Sequence, residues 1–86
     1  MKKICIIGID TFGKHVLEML IKMDTDIIII DQDKDLIQDY KDRVSGAHII
    51  DVINFDTVKK VIPKGLDIAI VDMGKTLNLQ SLLQAI

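Results

Sequence analysis

The sequence predicts an α/β fold built on one open parallel sheet. Short, continuous apolar runs alternate with amphipathic segments, and each run ends at a Gly or an Asp. Hydrophobic residues make up 49% of the chain and aromatic residues only 3%, so Ile, Val and Leu must form the interior. Because unbroken β-branched runs are typical of strands buried on both faces, we expect helices on both sides of the sheet.

Four apolar runs are the predicted strands. They are KICIIG, DIIIID, AHIID and LDIAIVD, at residues 3–8, 26–31, 47–51 and 66–72. Each is short enough for a strand and is bounded by residues that favour loops. Their alternation with helical segments predicts parallel pairing.

Four helices are predicted between and after these strands, over residues 12–23, 34–44 and 55–62 and from residue 76 onward. Helical spacing groups their apolar side chains on one face. For the second helix we expect Asp33 as the N-cap and Gly46 as the end. For the third we expect Asn54 as the N-cap and Pro63 with Gly65 as the end. The inward-facing side chains of the first two are predicted to be Val16, Leu17, Leu20, Ile21, Leu36, Ile37, Tyr40 and Val44.

The order of these elements predicts a Rossmann-like topology. Right-handed crossovers turn a β-α repeat into one open sheet with helices on both faces. We expect a single domain over residues 1–86, and because the last helical pattern continues to residue 86 without a C-cap signal, we expect the domain to be truncated after four β-α units.

Composition argues against several classes of partner. The net charge of −2 and the scattered Lys and Arg residues give no basic surface for nucleic acid. No run approaches the roughly 18 apolar residues of a membrane span, so we expect no direct membrane insertion. The single cysteine, Cys5, lies inside the first apolar run, so we expect it to be a small core residue. One cysteine cannot form an internal disulfide, which is consistent with a reducing, cytoplasmic location.

The loop after the first strand resembles a phosphate-binding turn. Gly8 and Gly13 occupy the first and third glycine positions of G-x-G-x-x-G, and Asp10 replaces the second. Gly8 is expected to make the tight turn out of the strand, and Gly13 to let the first helix pack closely on the sheet. A carboxylate about 4 Å from a phosphate oxygen would cost up to about 4 kcal/mol at an effective dielectric of 20. Amides at the start of the first helix would still favour an anion. Lys14 in the first turn could offset part of the carboxylate's charge, although we favour a solvated helix face for it.

Aspartates end the other strands at the same edge of the predicted sheet. Asp31 is suitably placed to accept hydrogen bonds from a ribose, and it is equally suited to opening a loop. For Asp51 and Asp72 we favour the loop-opening role. His15 falls on the polar side of the first helix and His48 in the third strand, and neither has a predicted catalytic partner, so we do not expect an enzyme.

Taken together, these units resemble the N-terminal Rossmann lobe of RCK domains, also called KTN or TrkA-N domains, over essentially the whole chain. In that family the first strand leads into G-x-G-x-F-G, and acidic residues follow the second and third strands. The fourth strand leads through a glycine to a helix with an asparagine in its first turn. The matching positions are Phe12, Gly13, Asp31, Asp33, Asp51, Gly74 and Asn78. Three positions depart from the family pattern. Asp10 replaces a glycine, Thr11 stands where some members have an arginine, and Asp72 replaces a small residue.

The resemblance implies a cytosolic regulatory subunit or domain of a potassium channel or transporter, attached to the membrane through that partner. It implies NAD(H) or an adenine nucleotide (ATP, ADP or AMP) as ligand, and assembly into homo-oligomers. We expect Asp10 to weaken the binding of this ligand. No catalytic or metal-binding residue is predicted. The cofactor-binding positions are Gly8, Ile9, Asp10, Thr11, Phe12, Gly13, Asp31, Gln32, Asp51, Val52, Met73 and Gly74.

Two other functions fit the same pattern. The chain could be the N-terminal portion of an NAD-dependent Rossmann oxidoreductase, with catalytic residues beyond residue 86; the acidic end of the second strand would then favour NAD over NADP. It could also be an assembly module that binds no nucleotide and pairs through an edge strand and the apolar helix from residue 76.

Overall fold

A parallel sheet carries the helices on its two faces in the computed structural model, which describes residues 1–51 and 53–71. The elements alternate along the chain as predicted. In order they are β1 (Lys3–Ile7), α1 (Thr11–Ile21), β2 (Asp26–Asp31), α2 (Lys34–Tyr40), β3 (Gly46–Ile49), α3 (Phe55–Val61) and β4 (Ile68–Val71).

The four strands are arranged in the order β3-β2-β1-β4, and all neighbours are parallel. At the centre, Ile6 of β1 pairs with Ile29 of β2 and with Ile70 of β4. The chain builds β2 and β3 on one side of β1 and then crosses to β4 on the other. This reversal is the topological switch point at which open α/β sheets bind ligands.

Alternation along the strands divides the core between the two faces of the sheet. Ile4 and Ile6 of β1 pack with Leu17 of α1 and with the buried residues of α2. Cys5 and Ile7 point to the other face, where Val58 of α3 covers them. The prediction of helices on both faces is confirmed, with α1 and α2 on one side and α3 on the other.

The second helix is shorter than predicted. It ends at Tyr40 rather than at residue 44, and Gly46, which was expected to end it, is the first residue of β3. The Ser45 amide donates to the Ile27 carbonyl at 2.9 Å, so this segment already belongs to the hydrogen-bond ladder of β2. Val44 lies one helical turn after Tyr40 and packs against the core as expected, so helical spacing alone could not locate the end.

The other predicted bounds shift by one or two residues. α1 begins at Thr11 and ends at Ile21, and the turn that follows places Asp24 at φ 55°. α3 has its predicted N-cap, Asn54, and ends at Val61. Ile62 adopts an extended backbone (φ −71°, ψ 124°), the conformation favoured before a proline.

The predicted third and fourth strands, at 47–51 and 66–72, are shorter in the structure, at Gly46–Ile49 and Ile68–Val71. The helix predicted from residue 76 lies outside the described residues. Within the described part of the chain, no helix has the length and apolar character needed to cross a bilayer.

Candidate functional site

The loop between β1 and α1 lies at the switch point of the sheet. The Gly8 amide donates to the Ile30 carbonyl at 2.8 Å, which extends the β1–β2 ladder by one bond. Gly8 is buried and has φ 78°, a left-handed conformation that a side chain disfavours. The glycine is therefore required for the turn itself, as predicted, whether or not a ligand binds.

Asp31 fastens this loop to the end of β2. Its Oδ2 accepts a hydrogen bond from the Ile9 amide at 2.7 Å, and its Oδ1 accepts one from the Asp33 amide at 2.8 Å. One bond holds the loop after β1 and the other holds the start of α2. Asp31 is thus a structural link as well as a candidate ligand contact.

The bond between Asp31 and Ile9 was not predicted from the sequence. The signal that could have revealed it is strand register, since Ile7 pairs with Ile30 and the residues that follow them lie side by side. Alternating apolar and polar residues help to fix register. The four consecutive isoleucines of β2 do not alternate, so the sequence of this strand leaves its register open.

Asp10 is the N-cap of α1. Its Oδ1 accepts a hydrogen bond from the Gly13 amide at 3.2 Å, and its carbonyl accepts one from the Lys14 amide at 2.9 Å. The backbone of Asp10 is extended (φ −97°, ψ −162°), as is usual for a cap. The carboxylate therefore lies over the helix end at which a Rossmann domain binds phosphate.

The remaining residues of the loop differ in their exposure. The Ile9 side chain is buried among the core residues under α1 and α2, so its backbone amide is the part of Ile9 that takes part in the site. Thr11 is exposed, and the Phe12 side chain is 62% exposed. Gly13 is buried, consistent with the predicted close packing of α1 on the sheet.

Asp33 and Asp51 organise the starts of the next two helices. Asp33 Oδ1 accepts from the Asp35 amide at 3.1 Å and the Leu36 amide at 3.3 Å, so the predicted N-cap is confirmed. Asp51 Oδ1 accepts from the Ile53 amide at 3.0 Å, which confirms the loop-opening role favoured for it. Gln32 is exposed beside this row of carboxylates. The predicted site residues Val52, Met73 and Gly74, and Asp72 with them, lie outside the described residues.

The sequence contains two histidines and one cysteine, and no catalytic role was predicted for any of them. His15 is exposed, and His48 is half-buried on β3, the edge strand, as predicted. Burial raises the pKa of the Cys5 thiol to about 11, so the side chain is a neutral core residue at physiological pH. Over residues 1–51 and 53–71, no cluster of three His, Cys, Asp or Glu side chains is arranged to hold a metal ion.

The residues present fit one half of a dinucleotide better than the other. Asp31 is half-buried at the end of β2, where a Rossmann domain places the carboxylate that binds a ribose. At the pyrophosphate position, however, the Asp10 carboxylate already holds the Gly13 amide. The ribose side is therefore compatible with the ligand, whereas at the phosphate side a carboxylate already holds one amide of the helix end.

The strand order, the glycine turn and the acidic end of β2 define a Rossmann-type domain of the nucleotide-binding class. Residues 4–85 match the family model of the TrkA-N domain, and the chain belongs to that family. TrkA-N domains are regulatory NAD(H)-binding domains associated with potassium transport. No curated protein and no solved structure gives a significant match to this chain.

Proposed function

We propose that this chain is a cytosolic regulatory domain that gates a potassium channel or transporter in response to an adenine nucleotide or NAD(H). In this proposal the domain performs no catalysis of its own. The ligand lies at the switch point, with its ribose on Asp31.

The observation that carries the proposal is the position of the Asp31 carboxylate. Each of its oxygens accepts one backbone hydrogen bond, from Ile9 at 2.7 Å and from Asp33 at 2.8 Å. A carboxylate offers about four lone-pair sites, so a ribose hydroxyl can donate to Asp31 while both backbone bonds remain. The bound ligand would then strengthen a link that already exists.

The same geometry supports a regulatory role. Asp31 joins the loop before α1 to Asp33, and Asp33 caps α2. A ligand that holds Asp31 therefore acts on the starts of two helices on one face of the sheet. The fold offers a physical route from an occupied crevice to the outer surface of the domain.

The proposal includes a membrane transport subunit as partner and assembly with further copies of the chain. Exposed apolar side chains on α1, in the loops and at the end of β3 are available for such contacts. These side chains are Phe12, Met19, Met23, Ile49 and Ile53.

The test is a thermal-shift series with NADH, ATP, ADP, AMP and adenosine at millimolar concentration. At least one of them is expected to raise the Tm of the chain, and Asp31→Ala should reduce that shift. Asp39→Ala is the matched control, because Asp39 is an exposed carboxylate on α2 with no hydrogen bond to the loop among the described contacts. If no ligand shifts the Tm, nucleotide sensing is wrong, and sedimentation analysis then tests whether assembly alone remains.

A further inference from the structure

We infer that the Asp10 carboxylate is a resident anion, which occupies the position in this loop at which a phosphate would bind. The crevice therefore selects an adenosine-type nucleoside over a ligand that carries a pyrophosphate. This inference rests on the proposed function for its ribose contact at Asp31. It departs from the dinucleotide that TrkA-N domains generally bind.

The first step is the occupancy of the helix end. The Asp10 carboxylate accepts from the Gly13 amide at 3.2 Å, and α1 runs for 11 residues behind it. The first turn of α1 contains no acidic residue, so Asp10 is the side chain that balances the positive end of the helix there. A phosphate would seek the same amide and the same helix end.

The second step is the cost of exchanging one anion for the other. A pyrophosphate that took the Gly13 amide would break the hydrogen bond made by Asp10. It would also bring its own negative charge next to the carboxylate, and like charges at short distance repel. The glycine that the family has at this position neither occupies the Gly13 amide nor carries a charge.

The third step is that the ribose contact uses different atoms from this exchange. Asp31 is held by the Ile9 and Asp33 amides, whereas Asp10 is held by the Gly13 amide. A nucleoside without phosphate can therefore use Asp31 while Asp10 stays in place. Phosphate groups add charge to the ligand at the point where the protein already has its own.

The experiment measures the affinities of adenosine and NADH for the wild-type chain and for two variants by calorimetry. Asp10→Gly restores the family residue and frees the Gly13 amide, and Gly is nearly as good an N-cap as Asp, so the variant is expected to fold. Asp10→Ser keeps a capping oxygen but removes the charge. It therefore separates repulsion from occupancy of the amide.

We expect the wild type to bind adenosine at least as tightly as NADH. Asp10→Gly should tighten NADH binding by about tenfold or more, the effect of one hydrogen bond to a charged group, while adenosine changes by less than about twofold. Asp10→Ser should fall between the two. Tighter binding of NADH than of adenosine by the wild type, or an unchanged NADH affinity in Asp10→Gly, overturns the inference.

A second measurement separates this inference from the proposed function. Inorganic pyrophosphate is titrated into isotope-labelled wild type and Asp10→Gly, and the amide resonance of Gly13 is followed by NMR. A shift in the variant alone supports Asp10 as the resident anion even if no nucleoside binds and the proposed function fails. An equal shift in the wild type overturns the inference, whatever happens at Asp31.

Discussion

The Asp31 carboxylate and the Ile9 amide lie 2.7 Å apart and join the end of β2 to the loop that follows β1. The two residues are 22 positions apart in the chain, and parallel pairing of β1 with β2 brings them together. The bond explains how the loop keeps its shape without help from a ligand, and it makes Asp31 a residue whose replacement affects stability as well as binding.

Replacing Asp31 with Asn should lower the free energy of unfolding by about 2 kcal/mol, because one amide bond is lost and the other loses its charged acceptor. Urea unfolding of the unliganded chain measures this. Asp39→Asn, at an exposed position of α2, should change the free energy by less than about 0.5 kcal/mol. Equal effects of the two variants would show that the bonds made by Asp31 contribute nothing.

Replacing Asp33 with Ala should cost about 1 kcal/mol, since the Asp35 and Leu36 amides lose their capping oxygen. Asp33→Asn is the matched control, because Asn is as good an N-cap as Asp and should stay within a few tenths of a kcal/mol of the wild type. Urea midpoints of the three proteins give the comparison. A loss in Asp33→Asn as large as in Asp33→Ala would mean that charge rather than capping is the cause.

The Cys5 thiol should make stability depend on alkaline pH. Burial raises its pKa from 9.0 to about 11, so the folded state keeps the thiol neutral where the unfolded state ionises it. The stabilising effect of this difference is complete below pH 9 and is lost as the pH rises from 9 through 11, by roughly 2 to 3 kcal/mol at most.

The measurement for Cys5 is the difference in unfolding free energy between wild type and Cys5→Ala at several pH values. Effects of Lys and Tyr titration are common to both proteins and cancel. The advantage of the wild type at pH 8 should shrink toward pH 11. A constant difference over that range would contradict the shifted thiol pKa.

The pair formed by Glu18 and Arg43 should give a small stabilisation that depends on salt and pH. The guanidinium donates to both carboxylate oxygens, at 2.8 and 2.9 Å, and both side chains are more than a third exposed. The hydrogen bond from Arg43 lowers the pKa of the Glu18 carboxyl from 4.5. The pair therefore stabilises above pH 4.5, and the effect disappears as the pH falls through the lowered pKa.

Glu18→Gln tests this pair. Its deficit relative to wild type should be measurable at neutral pH in low salt, smaller in 1 M salt because screening is stronger, and absent in acid. Thermal unfolding at the three conditions is sufficient. A deficit that stays the same in high salt would show that packing of the Glu18 chain, rather than its charge, is responsible.

Most of the fold could be predicted from local patterns. Asp26–Asp31 is a strand with the predicted bounds because a strand covered on both faces must be apolar throughout. Asp33 and Asn54 were recognisable as caps because a cap acts on amides two or three residues away. The end of α2 was missed because Val44 suits both a longer helix and the turn that actually precedes β3.

The candidate site was predictable in place but not in its contacts. Gly8, Gly13 and Asp31 were identified as the residues at the switch point, since parallel strands end at one edge of a sheet. Which amide each carboxylate holds depends on register and on the path of the loop. The sequence therefore did not decide whether Asp31 binds a ribose or holds a loop. In the structure, Asp31 accepts hydrogen bonds from the loop backbone.

Periodicity, capping residues and turn residues establish the α/β class, the alternation of elements and the edge at which a ligand would bind, because these signals act over a few neighbouring residues. The Asp31–Ile9 and Asp10–Gly13 bonds arise only when β1 and β2 pair and α1 begins beside them. A hydrogen bond needs two atoms within about 3 Å, and only the folded chain sets that distance. In the loop after β1, Asp10 departs from the phosphate-binding motif, and in the folded chain its side chain is the N-cap of α1.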